Sequence, residues 1–189
     1  MLQAIKNALL NSHKVNHAFI SSAFNVLLDA SDDLIHCVRN KGTIYVAGNG
    51  GSAAEAQHMA AELVGKFYKR RPPLKAVALT ANTSVITAVG NDMSFEEIFS
   101  RQAEAFVGRG DVLVVFSTSG TSENIVKAVK AARKKGAVII SLTGRTGGKL
   151  KKISDTCICV PSDDTPRIQE CHQLAAHVMC EMVEHEIFS

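Results

Sequence analysis

A chain of 189 residues supports one substantial hydrophobic core and leaves little room for two comfortable domains. With 46% hydrophobic and 21% charged residues its composition is that of a globular protein, which excludes extensive disorder or low complexity. The net charge of +3 comes from scattered basic residues, and with two Tyr and no Trp there are few platforms for stacking bases, so no nucleic-acid partner is expected.

From Leu2 to about Arg39, apolar residues recur at three- and four-residue intervals, and Ser31-Asp32-Asp33 supplies an N-cap signal for a second helix. Two helices are therefore expected before the first strand. Their apolar stripes exceed what a small sheet can cover, which points to packing against another subunit. Residues 43–47 form a β-rich run that ends in Gly48-Asn49-Gly50-Gly51-Ser52, and a helical pattern follows through Lys66. Three further units read the same way: residues 75–79 before a helix opening near Thr83, residues 112–116 before a helix opened by Thr121 and Ser122, and residues 137–142 before the glycine-rich segment 144–148. A fifth strand at 156–160 leads through residues 161–166 into the final helix. Strands that alternate with helices predict an α/β fold, a parallel sheet flanked by helices and joined by right-handed crossovers.

No apolar run approaches the roughly 18–20 residues of a membrane span, so no membrane partner is expected, and the opening residues lack the continuous apolar stretch of a signal peptide. Cys37, Cys157, Cys159, Cys171 and Cys180 lie in apolar segments without C-x-x-C spacing, which reads as reduced thiols packed in the core of a cytoplasmic protein.

In an open parallel sheet, ligands bind beyond the carboxyl ends of the strands. The first loop there is GNGGS at 48–52, where glycines let the backbone approach a ligand and Ser52 starts a helix with free amides. It has neither the dinucleotide nor the P-loop spacing, and a tight strand-to-helix turn would account for it equally well. The second loop, Ser117-Thr118-Ser119-Gly120-Thr121-Ser122, gathers five hydroxyls around one glycine at a helix start. Capping explains one or two of them, whereas a phosphate with several acceptor oxygens explains them together. His58 and Glu62 stand one helical turn apart and share a face, a spacing open both to a metal clamp and to an ordinary polar pair. Gln169 and His177 share a broad face of the final helix, with His172 as a competing histidine.

These two loops, together with GNDMSFEEIFSRQ at 90–102 and TPRIQECHQLAAHVMCE at 165–181, resemble the sugar isomerase (SIS) domain family, and within it the phosphoheptose isomerases. The resemblance runs in order from about Lys41 to Glu184. It implies one SIS domain over residues 1–189, with a helical segment at 1–40 and a three-layer core at 41–189 built on a five-stranded parallel sheet. It also implies a homotetramer whose active sites lie between subunits, the N-terminal helices contributing to those contacts. Substrate would be held by Asn49, Gly50, Gly51, Ser52, Glu62, Asn91, Asp92, Ser117, Thr118, Ser119, Ser122 and Gln169. The acid-base pair falls on Glu62 and His177, the latter chosen over His172 by its position relative to Arg167-Ile168-Gln169 in the family motif. Zinc, one per subunit, would be bound by His58, Glu62, Gln169 and His177, and the carboxamide ligand makes such a site weaker and more labile. The implied reaction interconverts sedoheptulose 7-phosphate and glycero-manno-heptose 7-phosphate through an enediolate, for lipopolysaccharide or capsule. Two positions depart from the pattern: Pro166 stands where some members carry an acidic residue, and Lys66 where arginine is frequent. A non-catalytic scaffold of the same fold, resembling proteins that associate with the bacterial replication initiator, is the alternative, but it has no need of Glu62 and His177.

Overall fold

The computed structural model describes residues 1–188. Its strands are β1 (Ile44–Gly48), β2 (Ala76–Ala78), β3 (Val112–Ser117), β4 (Val138–Thr143) and β5 (Thr156–Cys159). Its α-helices are α1 (Leu2–Arg39), α2 (Gly51–Val64), α3 (Thr83–Asp92), α4 (Ser100–Phe106), α5 (Glu123–Lys134) and α6 (Thr165–Ile187). All strand pairs are parallel, and the five strands lie in one sheet in the order β2-β1-β3-β4-β5. Every residue of β1 and β3 is buried, as expected of apolar strands covered on both faces.

Successive side chains leave a strand on opposite faces. Ile44, Val46, Val112, Val114, Phe116, Ile140, Leu142 and Ile158 enter one core with α1, α2 and α6. Tyr45, Ala47, Leu113, Val115 and Ile139 enter a second core with α4 and α5. The result is the three-layer arrangement expected from the sequence.

Two expectations need correction. The N-terminal segment is one continuous helix of 38 residues rather than two. No Gly or Pro interrupts residues 2–39, and within the proposed cap Ser31 is buried in the helix while Asp33 accepts a hydrogen bond from Thr156 Oγ1 of β5 at 3.2 Å. The connection from β4 to β5 contains no α-helix, only a 3₁₀ turn at Leu150–Lys152. Its glycines at 147 and 148 both take positive φ, which favours a turn over a helical entry.

α6 is fixed to the end of α2 by a buried charge. Glu184 accepts hydrogen bonds from the backbone amides of Phe67 (3.0 Å), Tyr68 (2.7 Å) and Lys69 (2.6 Å), and from Arg71 Nε at 2.9 Å. Both side chains of the ion pair are almost fully buried. The same guanidinium donates to the carbonyls of Glu62 and Leu63, each at 2.9 Å, so it satisfies orphan acceptors in the last turn of α2. Burial alone would raise the Glu184 carboxyl; the three amides and Arg71 outweigh it and hold the group at about 2, below the ordinary 4.5.

A depressed acid stabilises the fold above its unfolded-state value and loses that contribution as pH falls toward the folded-state value. Stability should therefore drop between pH 4.5 and about 2 with a component that Glu184→Gln lacks. Near neutrality the same substitution should cost about 3–5 kcal/mol in urea unfolding, because it leaves Arg71 buried without its counter-charge. Parallel acid profiles for the two proteins would contradict this assignment.

Candidate active site

The strand order reverses between β1 and β3, since β1 is followed in sequence by β2 on one side and lies against β3 on the other. In sheets of order 2-1-3-4-5 the crevice at the carboxyl ends of these two strands is the ligand site. Gly48 pairs with Phe116 in register, so the Gly-rich and Ser-rich loops leave the sheet side by side.

The loops are built to hold that position. A Cβ at Gly48 would overlap the Ser52 carbonyl, so the absence of a side chain lets α2 fold back directly onto the end of β1. Asn49 and Asn124 exchange two side-chain hydrogen bonds of 2.9 and 2.8 Å, tying the first loop to the start of α5. This pairing uses one of the two N–H groups of the Asn49 carboxamide and leaves the other for a ligand. In the second loop, Ser119 Oγ accepts from Thr121 N and Thr121 Oγ1, both at 3.2 Å, and Ser117 Oγ donates to Ser122 Oγ at 3.4 Å. Gly120 sits at φ 65° against the Gly147 carbonyl, and the 144–150 segment braces the loop through Gly144 N to Thr118 O (2.9 Å) and Leu150 N to Gly120 O (3.1 Å). Ser119 and Thr121 are exposed, whereas Thr118 and Ser122 are half-buried at the opening of α5.

The third group of predicted residues comes from α2 and α6, which pack together. His58 Nε2 lies 2.9 Å from Glu62 Oε1 and 3.4 Å from His177 Nε2, with the two imidazoles edge to face. One donor atom from each of the three residues falls within 4.8 Å of the others. Glu62 and His177 thus converge within a single chain. Gln169 lies two turns earlier on α6, its amide nitrogen 2.6 Å from where a Cβ on Gly51 would stand, so that glycine makes room for it beside the Gly-rich loop. Gln173, which the sequence reading did not single out, places Nε2 2.7 Å from His177 Nε2. Its position four residues before His177, on the same face, was the available signal. Asn91 and Asp92 end α3, exposed and bonded to one another at 2.7 Å.

His172 has a different place. Its ring is fully buried, Nε2 meets the Thr143 carbonyl at 3.2 Å, and Nδ1 faces Glu55 Oε2 at 3.9 Å. Burial pushes Glu55 up to about 7 despite the Ser52 hydroxyl, and pushes His172 down to about 4 despite the Thr143 carbonyl. A neutral imidazole cannot form an ion pair, and at 3.9 Å the carboxyl and the ring nitrogen face one another without a direct hydrogen bond. They form a buried polar layer between α2 and α6, directly beneath the Gly-rich loop. Neither residue belongs to the His58–Glu62–His177 cluster, and Glu55 gave no signal in the sequence beyond being an acid on the buried side of α2.

The donor set suits a metal ion. Two imidazoles and a carboxylate are a known three-ligand combination for zinc, and two nitrogens about 2.05 Å from one tetrahedral ion lie about 3.4 Å apart. The observed separation of the two Nε2 atoms is 3.4 Å.

Comparison with known proteins shows the family. Residues 10–144 match the SIS domain family. A phosphoheptose isomerase of Aquifex aeolicus (strain VF5) is 46% identical over 187 residues, which is 99% of this chain and 98% of the relative. One from Rhodospirillum rubrum is 50% identical over 163 residues, covering 86% and 87%. The solved structure of a phosphoheptose isomerase from Francisella tularensis matches with a TM-score of 0.94 at 36% identity, over 97% of this chain and 98% of that one. With a five-stranded parallel sheet, loops at its switch point and matches of this extent, the chain belongs to the phosphoheptose isomerases of the SIS-domain family.

Proposed function

We propose that the protein converts D-sedoheptulose 7-phosphate to D-glycero-D-manno-heptose 7-phosphate, supplying heptose for lipopolysaccharide or capsule. The observation that carries this reading is the meeting of Glu62 with His177 beside His58, on the two helices that border the Gly-rich loop. Moving a carbonyl between C1 and C2 requires a base that takes a proton from one carbon and returns it to the next, with an acid that manages the oxygens. Glu62 is the base that shuttles the proton between the carbons, and His177 assists ring opening and proton transfer at oxygen. Gln173 stands against His177 Nε2 at 2.7 Å, a contact that must give way when that nitrogen takes a metal or a proton.

In this reading the phosphate sits over the opening of α5, where Ser117, Thr118, Ser119 and Ser122 join the free amides of the first turn. Asn49, Gly50, Gly51 and Ser52 close the other side of the sugar, Gln169 reaches it from α6, and Asn91 and Asp92 complete the contacts. Zinc, one per subunit, is assigned to His58, Glu62, Gln169 and His177, where it would supply Lewis acidity to the sugar oxygens. Association into a homotetramer with active sites between subunits is part of this reading; an apolar groove of about 410 Å³ between α1 and α6, bordered by exposed Ile20, Phe24, Leu28 and Met182, supports association alone. Among the described residues no helix is long and apolar enough to cross a membrane. Five free cysteines are consistent with a reducing cytoplasm.

Incubating the protein with sedoheptulose 7-phosphate and zinc should yield the aldose. Glu62→Gln should stay folded and keep sugar-phosphate affinity while turnover falls on the order of 10²- to 10⁴-fold; turnover at the wild-type rate would remove Glu62 from the chemistry. Ser119→Ala combined with Ser122→Ala should raise KM more than it lowers kcat, since binding common to ground and transition states is lost. An unchanged KM would place the phosphate elsewhere.

A further inference from the structure

At the edge of the sheet, two strands beyond β3, β5 carries Cys157 and Cys159 two residues apart, so both point to the same side of the sheet. Ile158 between them enters the core with α1 and α6, which puts the two sulfurs on the other face. That face is only partly covered at the sheet edge, and both cysteines are half-buried. The two Sγ atoms are 3.7 Å apart. Thr143 Oγ1 of β4 lies 3.7 Å from Cys157 Sγ and 3.5 Å from Cys159 Sγ. Neither thiol has a part in the proposed isomerisation.

We propose that Cys157 and Cys159 form a two-thiolate binding site for a thiophilic metal ion, separate from the His58–Glu62–His177 cluster. The alternative chemistry for two neighbouring thiols is a disulfide, and the strand disfavours it. Two residues along a strand advance about 6.6 Å, near the upper end of the roughly 4.4–6.8 Å that a disulfide spans between Cα atoms, and the Cβ vectors run parallel rather than toward each other. An ion between the sulfurs needs no such closure. At a metal–sulfur distance of about 2.3 Å, a tetrahedral ion holds two thiolates about 3.75 Å apart. The sulfurs already stand at 3.7 Å.

Thiolates select soft or borderline ions such as Cu(I) and Zn(II). Binding a divalent ion forms two metal–sulfur bonds and releases one proton from each thiol to solvent, with no change in oxidation state; water or a small external thiol fills the remaining positions. The hydrogen bond between the two sulfurs lowers Cys159 and raises Cys157, so electrostatics favour one thiolate and the ion must displace the second proton. The other three cysteines are poor competitors. Cys37, Cys171 and Cys180 are all buried, whereas Cys157 and Cys159 are half-buried and within reach of an ion from solvent.

Cadmium titration of the reduced protein tests this, because only thiolate ligation gives the ultraviolet sulfur-to-cadmium charge-transfer band, whereas the histidine–carboxylate cluster offers nitrogen and oxygen alone. The wild type should develop the band with one equivalent per chain beyond any bound at that cluster, and Cys157→Ser with Cys159→Ser should lose it while keeping Cys37, Cys171 and Cys180. A band that persists in the double variant, or none in the wild type, would overturn the proposal. Alkylation of the native protein with and without cadmium provides a readout that does not depend on the variant folding: protection should map to Cys157 and Cys159. Equal alkylation in both conditions would overturn the assignment.

Discussion

The buried carboxylate of Glu184 is the constraint from which the arrangement of the candidate site follows. A charge taken out of water must be met by partners, and here they are three successive amides of the segment after α2 and the guanidinium of Arg71. Arg71 in turn holds the carbonyls of Glu62 and Leu63. The last turn of α2 is thereby fixed against α6, and the side chain of Glu62 is presented next to His58 and opposite His177. A residue far from the loops in sequence thus sets the position of the proposed base.

A second buried layer acts nearer the phosphate loops. His172 joins the end of β4 to α6 through the Thr143 carbonyl, and Glu55 faces it from α2 beneath Ser52. Together with the Asn49–Asn124 exchange, this layer gives the Gly-rich loop fixed neighbours on two sides. Rigid support matters for a site whose chemistry depends on placing one carbon–carbon bond between an acid and a base, because misplacement by an ångström is costly in rate. The four side chains His58, Glu62, Gln169 and His177 hang from two helices that already pack together, so the geometry does not depend on a mobile loop.

Much of the fold was legible because the central strands β1, β3 and β4 are buried on both faces and therefore read as short apolar runs rich in β-branched residues, each ended by glycine or hydroxyl residues. The boundaries of β1 and β3 moved by one residue. The break expected in α1 was not legible, because Ser31-Asp32-Asp33 offers the same side chains to a cap or to tertiary partners, and only the fold assigns Asp33 to Thr156. The β4–β5 connection misled for a related reason: a strand followed by glycines resembles the other strand-to-helix turns until the positive φ values at 147 and 148 are seen. In the site, the His58–Glu62 spacing was visible locally, while its meeting with His177 joins positions 119 residues apart and was accessible only through family resemblance. Arg71–Glu184, Asn49–Asn124 and Glu55–His172 left no local pattern, since each pairs residues far apart in the chain whose types alone do not identify a partner.

The most direct measurement is a crystal structure of the Glu62→Gln protein with sedoheptulose 7-phosphate bound. The phosphate should lie among the hydroxyls that open α5, with C1 and C2 of the open chain between residue 62 and His177. A sugar bound with its reacting carbons out of reach of both side chains would contradict this mechanism.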